Sequence, residues 1–217
     1  LGSRHGVNTF IMDWYWYENS PCFERQLNEG FLPAVSGSDT KFYIMWANHD
    51  ATNVWDMHTD QHDIVWYGTV DRREFETMAD RIIDKYLCHP NYYLIDGNPV
   101  FCIYDMCNLI GGLGGVHEAA EALDWMRSRA VSKGLPGIHF QAIRMKDMPA
   151  EIYRNVADFD SLRIEEMIRR LGFSSVTHYQ YVHEAGEAGE YIMWAEKATS
   201  GWLEYADEYP LYFPQIG

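Results

Sequence analysis

Short apolar runs and helix-period segments alternate along the whole chain, and this alternation limits the possible folds more than any other feature. The strand-like runs are VNTFIM at 7–12, FYIMW at 42–46, VFCIY at 100–104, IHFQAI at 138–143, SVTHY at 175–179 and LYFPQI at 211–216. Most are continuous rather than alternating in polarity, the pattern of strands covered on both faces in a parallel sheet. Between them, Arg72–Leu87 places Phe75, Met78, Ala79, Ile82, Ile83 and Tyr86 on one helical face. Asp71 with Glu74 resembles a capping box, and Pro90 stops the chain just beyond. Val116–Ser132 reads as a second helix with Gly134 as its C′ residue, and Arg163–Leu171 as a third ended by Gly172. Phe23–Leu32 and Ile192–Ala206 carry weaker helical patterns. No composition break divides the chain, so residues 1–217 are expected to form one α/β domain around a parallel sheet.

Hydrophobic residues make up 47% of the chain, ample for a core. The aromatics are biased toward rings with a polar tip, 8 Trp and 15 Tyr against 10 Phe. Such rings serve both cores and binding clefts. The formal net charge of −15 repels nucleic acid and anionic membranes, so neither is expected as a partner. No apolar run reaches the roughly 18 residues that a membrane crossing needs. No signal-peptide pattern is visible, but the sequence begins at Leu1, and the expectation is that the natural N-terminus lies upstream. Cys22, Cys88, Cys102 and Cys107 form no CxxC pair and read as free thiols.

The six strands fit either an open doubly wound sheet or part of a (β/α)8 TIM barrel. The barrel accounts for more, because every strand of a barrel ends at one mouth, where the active site lies. The strand beginnings here are bland: Gly6, Lys41, Pro99 and Gly137. The strand ends carry Asp13 and Tyr15, then Trp46, Asn48, His49 and Asp50, then Tyr104 and Asp105, then Arg144, then His178, Tyr179, Tyr181, His183 and Glu184. Rings stack on the C–H faces of sugars, while Asp, Asn, His and Arg hold hydroxyls. The expected substrate-binding set is therefore Asp13, Tyr15, Trp46, Asn48, His49, Tyr104, His178 and Tyr179. Structural alternatives stand beside these: Asp13 fits a buried acid paired to a neighbouring strand, Trp14 and Trp16 fit a packed wall, Asn48 and Asp50 fit Asx-turns, and His178 fits a hydrogen-bonded core histidine.

Two other motifs are weighed. His58 and His62 in HTDQH are spaced i, i+4, but the glutamate of HExxH is missing, so a solvated acidic loop is expected and no metal. GGLGG at 111–115 lacks both GxGxxG spacing and a GK[ST] ending, so a flexible loop is expected there rather than a phosphate cradle.

GVNTFIMDWYWY, FYIMWANHDATNVWD, HPNYYLIDGNPVFCIYD, LGFSSVTHYQYVH and YPLYFPQIG together resemble the glycoside hydrolase family 99-like group, which includes proteins labelled WbsX-like in polysaccharide gene clusters. WANHDATNVWD, similar to a family pattern such as WANENWTRRWD, is the most specific block, and the resemblance spans nearly the whole chain. It implies a (β/α)8 barrel, a bacterial source and an O-glycosyl hydrolase. The best-known members are retaining endo-α-mannosidases, so an α-linked, possibly mannose-containing glycan is the implied substrate. It also implies cleavage aided by the sugar's own 2-hydroxyl and two glutamates. Those glutamates belong to an NEWxE-type motif that this sequence lacks; MWAEKATSGW at 193–202 is only superficially similar and helical in pattern. The chain is therefore expected to be a fragment covering about strands 2 to 7, with catalytic residues unassigned.

The leading expectation is a glycosidase acting on an oligosaccharide or polysaccharide without a cofactor. A WbsX-type protein of polysaccharide biosynthesis is the second, disfavoured because no diphosphate loop is recognised. A non-catalytic glycan-binding barrel is the third. A degradative role would place the protein in the periplasm or outside the cell, a biosynthetic one in the cytoplasm.

Overall fold

The computed structural model describes residues 2–54, 58, 63–144, 164–179, 189–209 and 211–214. Its centre is a sheet of β1 (Thr9–Tyr17), β3 (Lys41–Trp46), β7 (Asn98–Ile103), β8 (His139–Ile143), β9 (Ser175–Thr177) and β10 (Tyr212–Phe213). These six pair in that spatial order, and every pair is parallel. β2 (Ser20–Cys22) adds an antiparallel edge to β1, and β6 (Leu94–Ile95) forms a hairpin with β7. β4 (Ala51–Thr52) and β5 (Ile64–Trp66) make a separate two-stranded ribbon. The fold is thus mixed α/β with a mostly parallel sheet, as expected. The sheet is open among the described residues, and a closed barrel is not observed.

The order of strands is itself informative. A doubly wound sheet reverses its strand order at a switch point. Here each parallel strand lies beside its predecessor, with no reversal. Side chains alternate across the sheet, and register carries that parity from strand to strand. Asp13 is opposite Met45, Met45 opposite Cys102, Cys102 opposite Gln141, and Gln141 opposite Ser175. These residues share one face. The other face holds Trp14, Trp46, Ile103, Ala142 and Val176, which join the main hydrophobic cluster.

That second face is covered by α2 (Arg72–Ile82), α3 (Met106–Leu113), α4 (Val116–Ser132) and α5 (Ile164–Arg170). α4 packs against the other three, and Arg129 reaches Asp80 of α2 at 2.6 Å. α2 begins as anticipated, with the Asp71 carboxylate accepting from the Glu74 amide at 2.8 Å. Glu74 does not return the favour. Its carboxylate accepts instead from the Trp16 indole at 2.9 Å and the Asn19 amide at 2.9 Å, tying the β1–β2 turn to the helix. That turn has positive φ at Glu18 and Asn19, the conformation of a two-residue hairpin turn. α4 covers the expected residues, with Gly134 at φ 92 just past its end.

Several expectations need correction. β1 runs on through Tyr17, so DWYWY is strand and not mouth loop. Its odd and even residues are divided between the two faces, which lets five consecutive polar-tipped or acidic side chains stay extended. GGLGG is not a flexible loop. Gly111 and Gly112 lie inside α3, and a Cβ at Gly112 would come within 2.5 Å of the Val70 carbonyl oxygen. Gly114, at φ 98, caps that helix. The 23–32 helix is a helical stretch at 24–35 containing a wide π turn at Gln26–Phe31 and ending in α1 (Leu32–Val35). The 192–206 helix is two helices, α6 (Tyr191–Thr199) and α7 (Trp202–Glu208), broken at Ser200 and Gly201. Tyr181, His183, Glu184 and most of HTDQH lie outside the described residues. Among the described residues, no group of three His, Cys, Asp or Glu side chains is placed to hold a metal, and no helix is long and apolar enough to cross a membrane. All four cysteines are free thiols.

Candidate functional site

At the C-terminal ends of β1, β3, β7 and β9, five of the eight expected residues come together. The His49 ring lies 6.0 Å from the Tyr15 ring and 5.5 Å from the Tyr104 ring, both edge-on. Tyr104 meets Tyr179 edge-on at 5.0 Å. Asp13 lies on the same face as Tyr15, two residues before it in β1. The result is one carboxyl, one imidazole and three phenols gathered at one end of the sheet.

Their electrostatics follow from this crowding. Desolvation by the surrounding groups raises the Asp13 carboxyl, and the nearby His49 pulls it back only in part. Asp13 is exposed to solvent, so its desolvation is partial. Desolvation also raises the Tyr104 phenol to about 12, with Tyr179, Asp105, Asp13 and Tyr15 adding to the effect. Tyr15 and Tyr179 move up for the same first reason, with Asp13 adding to both. All three phenols therefore remain protonated donors at neutral pH.

The loops that carry these groups are held by backbone contacts. The Asn48 amide donates to the Asp105 carbonyl at 2.6 Å, and the Asp105 amide donates to the Asn48 side-chain oxygen at 2.8 Å. Asn108 donates to the Asn48 carbonyl at 2.9 Å. The Asp105 carboxylate caps α3, accepting from the Cys107 and Asn108 amides. Asp50 accepts from the Gly68 amide at 2.7 Å, and Tyr17 donates to the His49 carbonyl at 3.0 Å. Gly68 is needed for this approach, since a Cβ there would stand 2.5 Å from the Asn48 and His49 backbone.

Three expected residues are elsewhere. Trp46 is 0% exposed, lies on the helix-covered face and packs on Phe75 at 6.2 Å. It offers no stacking platform. Asn48 does share its parity, as alternation requires, but that parity leads into the Asp105 bridge and away from the cleft. His178 is buried, its Nδ1 2.5 Å from the Tyr212 hydroxyl and its ring stacked on that phenol. Arg144 also lies on the helix side, its guanidinium 4.6 Å from the Tyr205 ring centroid and hydrogen-bonded to Tyr205 and Tyr209. Trp14 and Trp16 stack on each other in the core, as their structural alternative has it.

Beside Tyr15 and His49, the structure brings in Tyr17, Phe23, Val65 and Trp66, which were not in the expected set. Tyr15, Tyr17, Phe23, His49, Val65 and Trp66 are among the lining of a hollow of about 530 Å³ beside the cluster. The run YGT after IVW was the available signal for a short β-ribbon, but two- and three-residue strands are below what periodicity can detect.

A parallel sheet in chain order, with helices over one face and rings gathered toward the strand ends, defines an α/β protein with a mostly parallel sheet. A solved structure described as a "Glycoside hydrolase-like protein" matches with a TM-score of 0.63 at 17% identity, covering 99% of this chain and 60% of its own. The chain thus spans about three-fifths of that protein's length. The family described as Glycosyltransferase WbsX matches residues 1–209, and the chain belongs to this WbsX-like, glycoside hydrolase family 99-like group. No curated protein matches it.

Proposed function

We propose that residues 1–217 form one (β/α)-barrel domain region of a glycosidase that acts on an α-linked, possibly mannose-containing glycan, with Asp13, Tyr15, His49, Tyr104 and Tyr179 as the sugar-binding wall. The observation that carries this reading is the gathering of those five side chains toward the C-terminal ends of parallel strands of one sheet. In barrels that end is where ligands bind. The unreversed strand order favours the barrel over a doubly wound sheet. Protonated phenols would donate to sugar hydroxyls, and their faces would take C–H surface. Asp13, with its raised carboxyl, is the acid best placed to accept from a hydroxyl or exchange a proton there. Asp50 and Asp105 each spend a carboxylate oxygen on backbone amides. Two-carboxylate cleavage uses a second acid besides Asp13.

Sugar transfer in polysaccharide assembly is the second reading, favoured by the WbsX family's own description. Against it, GGLGG forms the end of α3 rather than a strand-to-helix phosphate loop. The test is incubation of the protein with α-linked mannooligosaccharides in one arm and nucleotide sugars plus acceptor in the other, followed by mass spectrometry. New reducing ends, lowered by Asp13→Asn, support hydrolysis. Extension of the acceptor supports transfer. Binding by calorimetry with no product in either arm supports a glycan-binding role.

A further inference from the structure

His49 is the imidazole of the cluster, and the geometry around it fixes where its proton sits. Its Nδ1 lies 2.9 Å from the Asp50 carbonyl oxygen. A carbonyl oxygen only accepts, so Nδ1 carries the hydrogen. In the neutral ring Nε2 is then bare, an acceptor with one lone pair in the ring plane. Nε2 has no hydrogen-bonding partner among the described residues. The ring is half-buried and lines the hollow beside the cluster, so a ligand can reach it.

Three further contacts hold this arrangement. The Asn48 carbonyl accepts from Asn108 at 2.9 Å, the His49 carbonyl from the Tyr17 hydroxyl at 3.0 Å, and the Asp50 carboxylate from the Gly68 amide at 2.7 Å. Each of the three residues is thus tied at one point, and swinging the Asp50 carbonyl away from Nδ1 would disturb these ties. The surroundings suit an acceptor. Tyr15 and Tyr104 meet the ring edge-on, and Tyr179 adjoins Tyr104. Their phenols supply O–H donors. A sugar hydroxyl is donor and acceptor at once. One that accepts from a phenol must send its own hydrogen elsewhere, and Nε2 takes a hydrogen from a single direction, where a carboxylate takes it from several.

We propose that His49 is the hydroxyl acceptor of the glycan site, and that the glycan is held only while this ring is neutral. Protonation turns Nε2 from an acceptor into an N–H donor. The sugar hydroxyl would then face donors on every side, with no place at Nε2 for its own hydrogen. This inference rests on the sugar-binding reading above and adds a proton control to that same site. The titratable groups facing the ring are Asp13, Tyr15 and Tyr17 from β1, Tyr104 from the end of β7, and Asp50 next to it in the chain. The phenols stay protonated throughout. Asp13 also takes up a proton on acidification, so the experiment has to tell the two apart.

The test records nitrogen chemical shifts of isotopically labelled histidines, with the His49 ring identified by its absence in His49→Gln. The first readout needs no sugar. At mildly alkaline pH, Nδ1 should be protonated and Nε2 bare; a proton on Nε2 instead overturns the inference, whatever the sugars do. The second readout is the affinity for methyl α-D-mannopyranoside, followed at the ring resonances of Tyr104, which are assigned with Tyr104→Phe. Affinity should fall about tenfold, the scale of one hydrogen bond, once the His49 shifts show the doubly protonated ring. Bound sugar should also keep the ring neutral to lower pH than in the free protein, because coupling between proton and sugar is reciprocal. His49→Gln keeps a side-chain carbonyl acceptor without the titration. It should bind within about threefold of the parent at alkaline pH and hold that affinity on acidification. An acid loss that persists in His49→Gln belongs to Asp13 and overturns the inference, as does an affinity that is unchanged across the titration of the ring; in both cases the sugar-binding reading stands. If neither this glycoside nor α-linked mannooligosaccharides move Tyr104 at any pH, the proposed function falls, and the role of His49 with it.

Discussion

A carboxyl among rings behaves differently from one in water, and Asp13 shows how this separates function from stability. Its pKa lies above the ordinary 3.8 because crowding disfavours the charged form. The folded chain therefore holds that proton to higher pH than the unfolded chain does. The penalty is absent well below the ordinary value and complete once pH has risen past the folded one. Asp13→Asn removes it. The variant should melt no lower than the parent at pH 7, and its loss of glycan affinity or turnover should be the larger effect; calorimetry and thermal unfolding check the two separately. Trp46 gives the opposite pattern. Trp46→Ala empties a fully buried site and should cost about 3–5 kcal/mol in denaturant unfolding. Sugar affinity of the folded fraction should be unchanged. The sequence put both residues at strand ends, although β1 runs on four residues past Asp13, and it did not show which way Trp46 faces. In FYIMW both parities are apolar because both faces are covered, so no polarity pattern separates cleft from core. In β1 the same question was answerable in part, since Asp13 breaks the apolar run on one parity alone. Tyr104 and Tyr179 each close a strand-like run and come together in the structure, while His178, one residue before Tyr179, is buried against Tyr212.

At the scale of elements, one buried acid joins the first strand to its covering helix. Glu24 accepts from Arg81 at 2.6 and 2.9 Å, from Lys85 at 3.1 Å and from the Trp14 indole at 3.0 Å. Burial alone would raise its pKa, but these hydrogen bonds outweigh burial and bring it to about 2. A lowered carboxylate pKa stabilises the fold fully above the unfolded value of 4.5, and the contribution is lost as pH falls through about 2. Acid unfolding should therefore begin below pH 4.5 and flatten in Glu24→Gln. That variant should also lose about 1.5–3 kcal/mol at pH 7, the range for hydrogen bonds to a charged group. Gly68→Ala tests a second junction. Its Cβ would meet the Asn48 and His49 backbone at 2.5 Å, so the His49 loop has to shift. Lower melting temperature together with weaker sugar binding is the expected outcome, where a change in stability alone would place Gly68 outside the site. The long helices and the parallel strands were legible because they exceed one period of their pattern. The β4–β5 ribbon, the π turn at Gln26–Phe31 and the break at Gly201 were not, because each is decided by tertiary contacts over two to six residues.

For the whole molecule, an excess of 32 acidic over 17 basic residues makes self-repulsion a standing cost of compaction. Raising sodium chloride from about 0.01 M to 0.15 M shortens the screening length from about 30 Å to 8 Å, so the melting temperature should rise over that range. The unreversed strand order has a consequence for how the molecule comes apart. In a sheet whose spatial order mirrors its chain order, each strand leans mainly on the units made just before and just after it. Loss of an outer strand removes one rung and leaves the next intact. A sheet wound both ways from its centre has no such sequence of separable steps. Hydrogen exchange should accordingly be slowest at β3, β7 and β8 and quicken strand by strand toward β1 and β10, a gradient of opening that runs along the chain from the middle to both ends.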